Sequence, residues 1–586
     1  MKRLLLGNEA IACGAYEAGV TVAAAYPGTP STEITEYLSG YPEIDSEWSV
    51  NEKVALEIGI GASIAGARAL VCMKHVGLNV AMDPLMSISY PGVNGGLVIV
   101  VADDPGQHSS QNEQDTRYFG IAAKIPVLEP SDSQECKDFV IKAFEISEKF
   151  DTPVILRLST RVSHSQSVVE TGVRQQIALK DFQNIEGKYI VAPGYARKRR
   201  VVAESRLQEL HEFAETTDLN TIYDGDESTG IITSGIAYHY SREALPEAGI
   251  FKLGLSYPLP RKKIEAFASK YKRVFVVEEL EPIYETFIKS WGINATGKEK
   301  LPVIGELDSS IIRKALTGKP LKKEPLTLGY QLPQRPPVLC PGCHHRGPFY
   351  VLKKLKLKVS GDIGCYTLAA FPPFSSMHTS ICMGASIGMA FGFEKARGKE
   401  FAKESVAVIG DSTFWHSGVT GLIDVVYNRG FTTVIILDNA VTAMTGHQEN
   451  PSTGLTLKGT ETVRLDFEAL ARSIGIRRIS IVDAYDLEAL ERVIREETAA
   501  KEPSVIITRQ PCVLKKGISS QNEPFKVLPD KCKACKKCIS LGCPAISWDN
   551  GKASIDSTLC TGCGLCGDIC SFGAIVSSKD DLMAAE

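Results

Sequence analysis

Eight cysteines near the end of the chain are spaced for iron–sulfur chemistry. They form two C-x2-C-x2-C runs, and a single cysteine follows each run a few residues later. A [4Fe–4S] cluster takes four thiolates, and where two such runs occur together the single cysteine of each run ligates the other cluster. The predicted ligand sets are Cys532, Cys535, Cys538 and Cys570 for one cluster, and Cys560, Cys563, Cys566 and Cys543 for the other.

The two runs resemble the bacterial ferredoxin pattern, with two departures. Four residues separate Cys538 from Cys543 where the pattern has three, and Ser571 follows Cys570 where the pattern has proline. Neither departure removes a ligand. A pair of zinc sites of the C-x2-C type is the alternative, but two triplets with two single cysteines favour a ferredoxin-like domain, which we place at residues 525–580. Such a domain needs a reaction that releases electrons.

The totals indicate a protein of several domains without a nucleic-acid or membrane partner. A chain of 586 residues exceeds a single core, since domains average about 150 residues. The net charge of −4 provides no basic surface for nucleic acid. The opening residues MKRLLLGNEA do not form a signal peptide, and no apolar run approaches the ~20 residues that cross a bilayer. We therefore expect a cytoplasmic protein whose sixteen cysteines serve metal or redox chemistry.

Short apolar runs alternate with helical stretches, which predicts parallel sheets covered by helices on both faces. We place α/β domains at residues 1–185, 225–320 and 335–515. The charged stretch between the first two is expected to be an irregular boundary, and the Lys- and Pro-rich stretch from Lys322 to Cys343 a linker. The predicted strands include ARALVCMKH, GLVIVVADD and TPVILRLST in the first domain, GIITSG and RVFVVEE in the second, and ESVAVIGDS, TTVIILDN and SVIITRQPC in the third.

The sequence Gly-Ala-Ser-Ile occurs twice, at residues 61–64 and 384–387. Both copies lie among small residues that recur at helical spacing, which allows a helix to approach its neighbours closely. One interpretation is that the first and third domains are duplicates of one fold. The other is a coincidence between two tightly packed helices.

Two polar residues follow successive strands of the third domain. The run SVAVIG ends at Asp411, and TTVIILD ends at Asn439 about one βα unit later. In doubly wound sheets, ligands bind at the carboxyl edge, where neighbouring strand ends converge. Together with the backbone carbonyl of Val441, these side chains form an oxygen-only set suited to Mg²⁺ that carries a diphosphate. Ordinary helix caps at βα junctions are the alternative.

Residues beside Asp411 suit the diphosphate itself. Gly410 is expected to allow a sharp turn, and the backbone amides of Ser412 and Thr413, at a helix entry, suit phosphate oxygens. Gly-Asp followed about 28 residues later by Asn resembles the diphosphate motif of thiamine diphosphate enzymes. These enzymes need a glutamate on a companion domain that faces N1′ of the aminopyrimidine. Glu52, in SVNEKVALEIG, is the candidate, and a surface helix residue is its alternative.

The order of the motifs resembles that of the 2-oxoacid:ferredoxin oxidoreductases, most closely the large (alpha) subunits of the indolepyruvate branch. The motifs are AYPGTPSTE and NEKVALE in the first domain, GDSTF and DNAVTAMTGHQ in the third, and the cysteine runs. The resemblance implies an α/β multidomain fold. Two doubly wound parallel-sheet domains would bind the pyrimidine (1–185) and the diphosphate (335–515) of thiamine diphosphate. A transketolase-C-like α/β domain (225–320) and a 2×[4Fe–4S] ferredoxin-like domain (525–580) complete it.

The resemblance also implies the activity and the roles of residues. The expected reaction is oxidative decarboxylation of a 2-oxoacid with coenzyme A, which gives an acyl-CoA, CO2 and reduced ferredoxin. Glu52 would activate thiamine diphosphate, while Asp411, Asn439 and the Val441 carbonyl would bind magnesium. Thr29, in the YPGTPS loop, would contact the 2-oxoacid; a simple turn residue between prolines is the alternative.

A third [4Fe–4S] cluster, near the thiazolium, is implied as well. The cysteines that match its positions in family members are Cys340, Cys343, Cys365 and Cys512. A zinc or vestigial site that uses His344 or His345 is the alternative. The remaining cysteines fit no pattern and are expected to be buried small hydrophobes; they are Cys13, Cys72, Cys136 and Cys382.

One departure from the family bears on the substrate. Pyruvate-using relatives have an arginine after the strand equivalent to GLVIVVA, where this chain has Asp103 and Asp104. An acidic pair would repel pyruvate, which favours arylpyruvates such as indolepyruvate and phenylpyruvate, with Arg117 or His75 as candidates for holding the carboxylate. The alternatives are a relative that uses aliphatic 2-oxoacids or 2-oxoglutarate, and a non-catalytic iron–sulfur electron-transfer subunit.

The expected partners follow from the same resemblance. The coenzyme A-proximal domain of the family is not apparent in this chain, which predicts a separate, smaller beta subunit. The family suggests an alpha2beta2 heterotetramer. Ferredoxin, coenzyme A and the arylpyruvate are the other expected partners.

Overall fold

The computed structural model describes residues 1–320, 329–333, 335–517 and 522–578. The chain folds into two compact units, residues 1–328 and 329–586. The linker predicted from Lys322 to Cys343 and the end of the predicted 525–580 domain lie partly outside the described residues. Among the described residues, no helix has both the length and the apolar character that crossing a membrane requires.

The first unit contains most of the strands. They are β1 (Lys2–Leu6), β2 (Val22–Ala25), β3 (Asp45–Trp48), β4 (Ala69–Lys74), β5 (Leu97–Asp103), β6 (Val127–Leu128), β7 (Val154–Ser159), β8 (Gln166–Glu170), β9 (Thr221–Tyr223), β10 (Asp226–Ser234), β11 (Ala248–Leu253), β12 (Leu255–Tyr257), β13 (Arg273–Val277) and β14 (Ala295–Thr296). The helices are α1 (Gly7–Glu17), α2 (Thr32–Leu38), α3 (Glu52–Ile64), α4 (His75–Val80), α5 (Met82–Ile88), α6 (Arg117–Ala123), α7 (Ser133–Phe150), α8 (Thr160–His164), α9 (Pro193–Thr216), α10 (Gly235–Ala244), α11 (Arg261–Ala268), α12 (Ile283–Ser290) and α13 (Ser309–Thr317).

A seven-stranded sheet in the order β12-β6-β7-β5-β4-β2-β3 forms the main layer of this unit. All of its neighbouring strands are parallel except β12 and β6. The strands β4, β5 and β7 are buried along their whole length, as expected for apolar runs covered on both faces. The strand order reverses at β2, so the loop after β2 and the end of β4 share the edge where ligands bind in such sheets.

A second sheet of five strands follows, in the order β14-β13-β10-β11-β9. The strands β10, β11, β13 and β14 are parallel, and β9 is antiparallel at one edge. A two-stranded antiparallel sheet, β1 with β8, completes the unit. The predicted α/β class and the strands predicted for this part of the chain are confirmed.

The expectation of an irregular boundary after residue 185 is wrong for most of its length. Residues Pro193–Thr216 form the 24-residue helix α9. Its apolar positions Leu207, Leu210 and Ala214 recur at helical spacing and are buried in the cores on the seven-stranded sheet. The many charged residues between them face outward or donate to loops, as Arg206 does to the Ser89 carbonyl at 2.8 Å. Because charged residues dominate this stretch, its few buried apolar positions did not indicate a helix in the sequence.

Buried ion pairs connect the two sheets of this unit. Arg117 has 1% of its surface exposed and donates to Asp115 at 2.5 Å and to Glu278 at 2.6 Å. Its guanidinium lies 4.5 Å from the centroid of the Tyr284 ring, and the Tyr284 hydroxyl donates to Glu129 at 2.6 Å. Because Glu278 and Tyr284 belong to the second sheet's segment, Arg117 ties that segment to the first.

The second unit is built on a five-stranded parallel sheet in the order β15-β16-β17-β19-β18. Its strands are β15 (Lys358–Ser360), β16 (Ser405–Gly410), β17 (Thr433–Asp438), β18 (Arg478–Asp483) and β19 (Ser504–Arg509). Its helices are α14 (Arg346–Leu355), α15 (Ala385–Arg397), α16 (Asp411–Thr413), α17 (Val419–Tyr427), α18 (Phe467–Ile474) and α19 (Leu487–Thr498). A π-helical turn, Phe414–Gly418, joins α16 to α17. The strands predicted for this region are confirmed.

The cysteine-rich end of the same unit contains two small antiparallel sheets. Their strands are β20 (Phe525–Val527), β21 (Ile546–Asp549), β22 (Lys552–Ile555) and β23 (Ile575–Ser577). A 3-10 turn, Cys538–Leu541, and the short helix α20 (Leu565–Asp568) lie among them. Strand β20 pairs with β23, and β21 pairs with β22.

The two Gly-Ala-Ser-Ile copies occupy different structural positions. The first copy ends helix α3 at Ile64, whereas the second begins helix α15, where Gly384 is the N-cap with a φ of 83°. Equivalent positions in duplicated domains would share one place in the fold. The coincidence interpretation is therefore the one that the structure favours.

We predict that Arg117→Gln destabilises the first unit by about 3–5 kcal/mol, because it leaves Asp115 and Glu278 buried without their cation. The matched control is Arg161→Gln, which removes an ion pair with Glu306 whose arginine is 52% exposed. That control should cost at most about 1 kcal/mol. Urea unfolding followed by circular dichroism measures both, and equal midpoints would contradict a structural role for Arg117.

Candidate active site and metal centres

Strands β16 and β17 bring Asp411 and Asn439 to the same edge of the sheet. Gly410 lies opposite Leu437 in the parallel register, so the residues that follow each strand emerge side by side. The backbone N–H of Val441 lies 3.3 Å from Asp411 Oδ2 and 3.0 Å from Asn439 Oδ1. Two side-chain oxygens from different strand ends therefore converge on one point, as the sequence predicted.

Both side chains of this pair are buried where the two strands end. Asp411 and Asn439 are 3% and 6% exposed. Burial, with a smaller contribution from the neighbouring Asp438, raises the pKa of Asp411 to about 7. Among the described residues, no lysine or arginine forms an ion pair with Asp411. A buried carboxylate with an amide oxygen beside it fits a hard cation such as Mg²⁺.

The residues beside Asp411 differ in part from what was expected. Gly410 has a φ of −75°, so a sharp turn does not require glycine here. A Cβ at Gly410 would instead lie 2.8 Å from the ring of Tyr366, which explains the small residue by close packing. The Ser412 amide donates to Asp411 Oδ1 at 2.7 Å, and the Thr413 hydroxyl donates to the Ile363 carbonyl at 3.1 Å.

The four cysteines proposed for a third cluster gather next to this site. We call Cys340, Cys343, Cys365 and Cys512 the proximal set. Burial raises the pKa of Cys343 to about 12, with Cys365 and Cys340 contributing. Burial raises the pKa of Cys365 to about 11, with Cys512, Cys340 and Asp411 contributing. The backbone N–H of Cys512 donates to the Asn439 carbonyl at 3.0 Å. Cysteines from three separate segments are thus within electrostatic reach of one another, and Cys365 is also within reach of Asp411.

The histidine alternative also has geometric support. One ligand atom each of Cys343, His344 and His345 lies within 4.8 Å of the others. Both imidazoles are buried, and His344 Nε2 and His345 Nδ1 have no hydrogen-bond partner among the described residues. Burial lowers the pKa of His344 to about 3, so it is neutral. This set offers three ligands, whereas the proximal set offers the four thiolates that a [4Fe–4S] cluster takes.

The C-terminal cysteines line two separate cavities. The inner cavity is lined by Cys543, Cys560, Cys563 and Cys566, together with Gly342 and Arg346. The outer cavity is lined by Cys532, Cys535, Cys538 and Cys570. Each cavity thus contains three cysteines of one run and the single cysteine of the other, which is the crossed arrangement predicted from the sequence.

Glu52 and Thr29 lie at the carboxyl edge of the seven-stranded sheet. Glu52 is the first residue of α3 and is 4% exposed. A Cβ at Gly77 would lie 2.5 Å from Glu52 Oε1, so the glycine leaves space for this carboxylate. Thr29 lies in the loop after β2, and its carbonyl accepts a hydrogen bond from Ser109 Oγ at 3.2 Å.

Lys74 is a candidate site residue that the sequence pattern did not indicate. It ends strand β4, is 8% exposed, and donates to the Ser109 carbonyl at 2.8 Å. A Cβ at Gly28 would meet the Lys74 stem at 3.2 Å, so the lysine lies against the Thr29 loop. Burial lowers the pKa of Lys74 to about 8, opposed by Asp104 and Glu52. The available signal was a lysine that ends an otherwise apolar, buried strand.

The two residues suggested for the substrate carboxylate are placed differently from expectation. Arg117 is enclosed by the ion pairs described above and is not accessible to a substrate. His75 is fully buried, and its Nε2 lies 3.2 Å from the Asn112 carbonyl.

Asp103 and Asp104 are partners of other protein groups and do not form the bare acidic pair that was expected. Asp103 is fully buried and pairs with Arg157 at 2.6 Å. Asp104 accepts hydrogen bonds from the Ser110 hydroxyl at 2.6 Å and from the Ser109 amide at 2.8 Å. Both carboxylates are satisfied by the protein, so they shape the loop and do not present bare charge.

Three of the four unassigned cysteines are buried as expected: Cys13, Cys72 and Cys136. Cys382 is exposed, so the expectation of a buried small hydrophobe is wrong there. It immediately precedes the segment that enters helix α15, outside the packed core.

Three family profiles match the chain in the order of the structural elements. The profile described as pyruvate flavodoxin/ferredoxin oxidoreductase, thiamine diP-binding, matches residues 13–213. The profile of the C-terminal TPP-binding domain of thiamine pyrophosphate enzymes matches residues 362–508. The 4Fe-4S binding domain profile matches residues 553–576.

Curated relatives extend this similarity to almost the whole chain. An indolepyruvate oxidoreductase subunit IorA from Archaeoglobus fulgidus is 40% identical over 620 aligned positions, covering 99% of this chain and 98% of the relative. The protein of that name from Pyrococcus horikoshii is 41% identical, covering 99% and 97%. Among solved structures, a 2-oxoglutarate:ferredoxin oxidoreductase from Magnetococcus marinus is 17% identical, with a TM-score of 0.45, over 53% of this chain and 64% of that one.

Proposed function

Because the chain belongs to the indolepyruvate oxidoreductase subunit IorA family, we propose that it is the catalytic alpha subunit of an arylpyruvate:ferredoxin oxidoreductase. The reaction converts an arylpyruvate and coenzyme A into an arylacetyl-CoA and CO2, and it passes an electron pair to ferredoxin. The observation that carries this proposal lies within the second unit. The oxygen pair of Asp411 and Asn439 adjoins the proximal cysteine set, so a decarboxylation site and an electron acceptor are neighbours.

The family profiles indicate thiamine diphosphate and iron–sulfur clusters. We assign Mg²⁺ to Asp411, Asn439 and the Val441 carbonyl, and the diphosphate to the segment of Gly410, Ser412 and Thr413. The convergence of buried oxygens on one edge supports this assignment. When bound, thiamine diphosphate supplies the electron sink for the carbon–carbon bond that breaks. The protein supplies orientation, charge and exclusion of water.

Glu52 is the residue that we assign to cofactor activation. Its carboxylate is buried at the start of α3, in space that Gly77 leaves open. A carboxylate in such a position accepts or holds a proton at a nitrogen of the aminopyrimidine. Low exposure strengthens that interaction, since water does not screen it.

Lys74 and Thr29 are the residues that we assign to the 2-oxoacid. An ammonium group at the end of β4 provides the positive charge that a substrate carboxylate needs, in a region where Asp103 and Asp104 are already satisfied. The Lys74 stem lies against the Thr29 loop, which supports assigning both residues to the same substrate.

We assign three [4Fe–4S] clusters: one to the proximal set and one to each C-terminal cavity. The crossed cysteine sets around the two cavities support the latter pair. The proximal set approaches the inner cavity closely, because a Cβ at Gly342 would lie 2.0 Å from the Thr561 hydroxyl. Since electron transfer weakens steeply with distance, this contact favours passage from the proximal cluster to the inner cluster.

The name IorA implies a partner subunit. We propose that this partner is a smaller beta subunit that contributes to the coenzyme A site, that the complex is an alpha2beta2 heterotetramer, and that it works in the cytoplasm. Ferredoxin accepts the electrons, and coenzyme A accepts the acyl group.

Glu52→Gln should lower 2-oxoacid-dependent ferredoxin reduction at least 100-fold, in line with the loss of a proton-transfer group. Iron content and unfolding midpoint should stay at the wild-type values. The matched control is Glu57→Gln, which changes an exposed glutamate on the same helix and should leave the rate unchanged. The assay uses the complex of alpha and beta subunits with indolepyruvate, phenylpyruvate, pyruvate and 2-oxoglutarate as substrates.

A glutamine variant with full activity would contradict the role of Glu52. Wild-type complex that prefers pyruvate or 2-oxoglutarate would contradict the arylpyruvate assignment. Wild-type complex without bound thiamine diphosphate would support a non-catalytic electron-transfer subunit.

Lys74→Gln should raise the KM for the 2-oxoacid at least tenfold, because a charged hydrogen-bond partner is lost. The wild-type KM should be low while the ammonium is protonated and should rise as pH increases through about 8, where burial places the pKa of Lys74. The variant should lack this pH dependence. Lys142→Gln, at a lysine whose side chain is 44% exposed and pairs with Glu145 on the surface, is the control. A KM that neither the substitution nor pH changes would refute the assignment.

A further inference from the structure

Four exposed lysines occur within seven residues of the first cysteine run, at the surface of the second unit. They are Lys531, Lys533, Lys536 and Lys537, all exposed; we call them the lysine rim. Three of them, Lys533, Lys536 and Lys537, line the cavity that the outer cysteines share. Cys535 is exposed between them. The outer cavity therefore opens through a cluster of positive charge, in a chain whose net charge is −4.

Local contacts hold part of the rim in place. The Lys536 ammonium lies 4.9 Å from the centroid of the Trp548 ring, and the Lys537 ammonium donates to the Ser571 hydroxyl at 3.1 Å. In the part of the chain that the structure describes, no carboxylate forms an ion pair with any of the four lysines. Their charge is thus available to a partner.

Exposed aromatic surface lies beside this charge. Trp548 is 37% exposed and Phe572 is 47% exposed, and both line the outer cavity. Protein interfaces combine aromatic anchors with a polar, charged rim. Complementary charge steers the encounter and raises the association rate, most strongly at low salt.

We propose that the lysine rim, with Trp548 and Phe572, is the docking surface for an acidic iron–sulfur electron carrier that takes electrons from the outer cluster. This proposal rests on the proposed function, because it needs a reduced cluster at Cys532, Cys535, Cys538 and Cys570. It adds the exit point of the electrons and the charge that selects the carrier.

The test substitutes Lys533, Lys536 and Lys537 by glutamine in one variant of the alpha–beta complex. With an acidic bacterial 2[4Fe–4S] ferredoxin, the KM and the Kd from calorimetry should each rise at least tenfold, and the steep salt dependence should flatten. Methyl viologen reduction should keep its wild-type rate. The control variant carries Lys198→Gln, Lys262→Gln and Lys272→Gln, which change the charge equally at exposed sites of the first unit.

Each result decides a different point. If the wild-type complex fails to reduce viologen with an arylpyruvate, the proposed function fails and the rim is not at fault. If viologen reduction is intact and the rim variant binds and reduces ferredoxin as wild type does, the docking proposal is overturned. An equal effect in the control variant overturns it too, since net charge and not location would then matter.

A buried arginine between two cysteine sets carries a second, independent inference. Arg346 begins helix α14 and is 2% exposed. It donates to the main-chain carbonyls of Leu541 at 2.5 Å and Cys340 at 3.1 Å, and to that of Leu339. No carboxylate pairs with it among the residues that the structure describes. An unpaired buried cation is costly unless an anion balances it.

With the proposed clusters bound, the ligating cysteines would be thiolates, and these anions would balance the charge of Arg346. Its side chain lines the inner cavity with Cys543 and Cys563, and its carbonyl contact with Cys340 reaches the proximal set. Cysteines of both sets therefore face one guanidinium.

The geometry points to Arg346 as a shared counter-charge that favours the reduced, more negative states of the proximal and inner clusters. A reduced cluster gains one negative charge, and charge and hydrogen bonding near a cluster set its potential. One arginine then keeps the reduction potentials of two neighbouring clusters similar. This inference rests on the proposed clusters, and it makes Arg346 a positioning and tuning residue.

The experiment compares Arg346→Met with Arg346→Lys by redox titrations followed by electron paramagnetic resonance. In the methionine variant, reduction of the inner and proximal clusters should become at least tenfold less favourable, which is about 59 mV for a one-electron couple. The lysine variant keeps the charge, so the reduction potentials of its clusters should lie close to the wild-type values. The outer cluster should keep its wild-type potential and serve as the internal reference. Arg492→Met, at an exposed arginine of α19, is the control.

The outcomes separate the inference from its premise. Unchanged inner and proximal potentials in Arg346→Met overturn the role of Arg346. A lysine variant that shifts as far as the methionine variant overturns a charge effect. If wild-type protein shows no proximal signal, the proximal cluster fails as a proposal, and the inner cluster alone decides the role of Arg346.

Discussion

The in-register parallel pairing of β16, β17 and β19 is the constraint on which the site in the second unit depends. Ile436 lies opposite Ile409 on one side and Ile507 on the other. The three strands therefore end at one edge and deliver Asp411, Asn439 and, shortly after β19, Cys512 to neighbouring positions. A slip of one residue would turn alternate side chains to the opposite face and separate the oxygen pair from the cysteine.

The same edge explains why metal and thiol chemistry occur together. Cys512 is anchored through its backbone to the Asn439 carbonyl, and Tyr485 donates to the Gly342 carbonyl at 2.6 Å in the loop between Cys340 and Cys343. Arg346 then links that loop to the Leu541 carbonyl of the cysteine-rich end. Consecutive contacts of this kind bring the proposed redox centres together within one compact unit.

Local patterns in the sequence predicted the parts of this arrangement that local spacing determines. A cysteine run can be recognised from its own spacing. A residue that directly follows an apolar strand can be recognised once the strand and its end are known. Asp411, Asn439 and the C-terminal cysteines could therefore be named from the sequence. Helix α9 was missed because its apolar positions are few among many charged ones, and its partners lie on a distant sheet.

Other features depended on tertiary partners that no local pattern shows. Asp103 and Asp104 looked like free acids, yet Arg157 and the Ser109–Ser110 segment satisfy them. Arg117 looked like a substrate ligand, yet it belongs to buried ion pairs. Lys74 became a candidate only from its tertiary position near Glu52 and against the Thr29 loop. In the sequence, a single lysine at the end of a strand indicates no particular role.

We propose that the chain holds a proximal cluster next to the decarboxylation site as well as two clusters at the cysteine-rich end. The most direct measurement is iron and acid-labile sulfide analysis of the anaerobically purified alpha–beta complex, with the beta subunit measured separately. We expect about twelve iron atoms per alpha chain, falling to about eight in a Cys365→Ser variant. About eight in both proteins would contradict it.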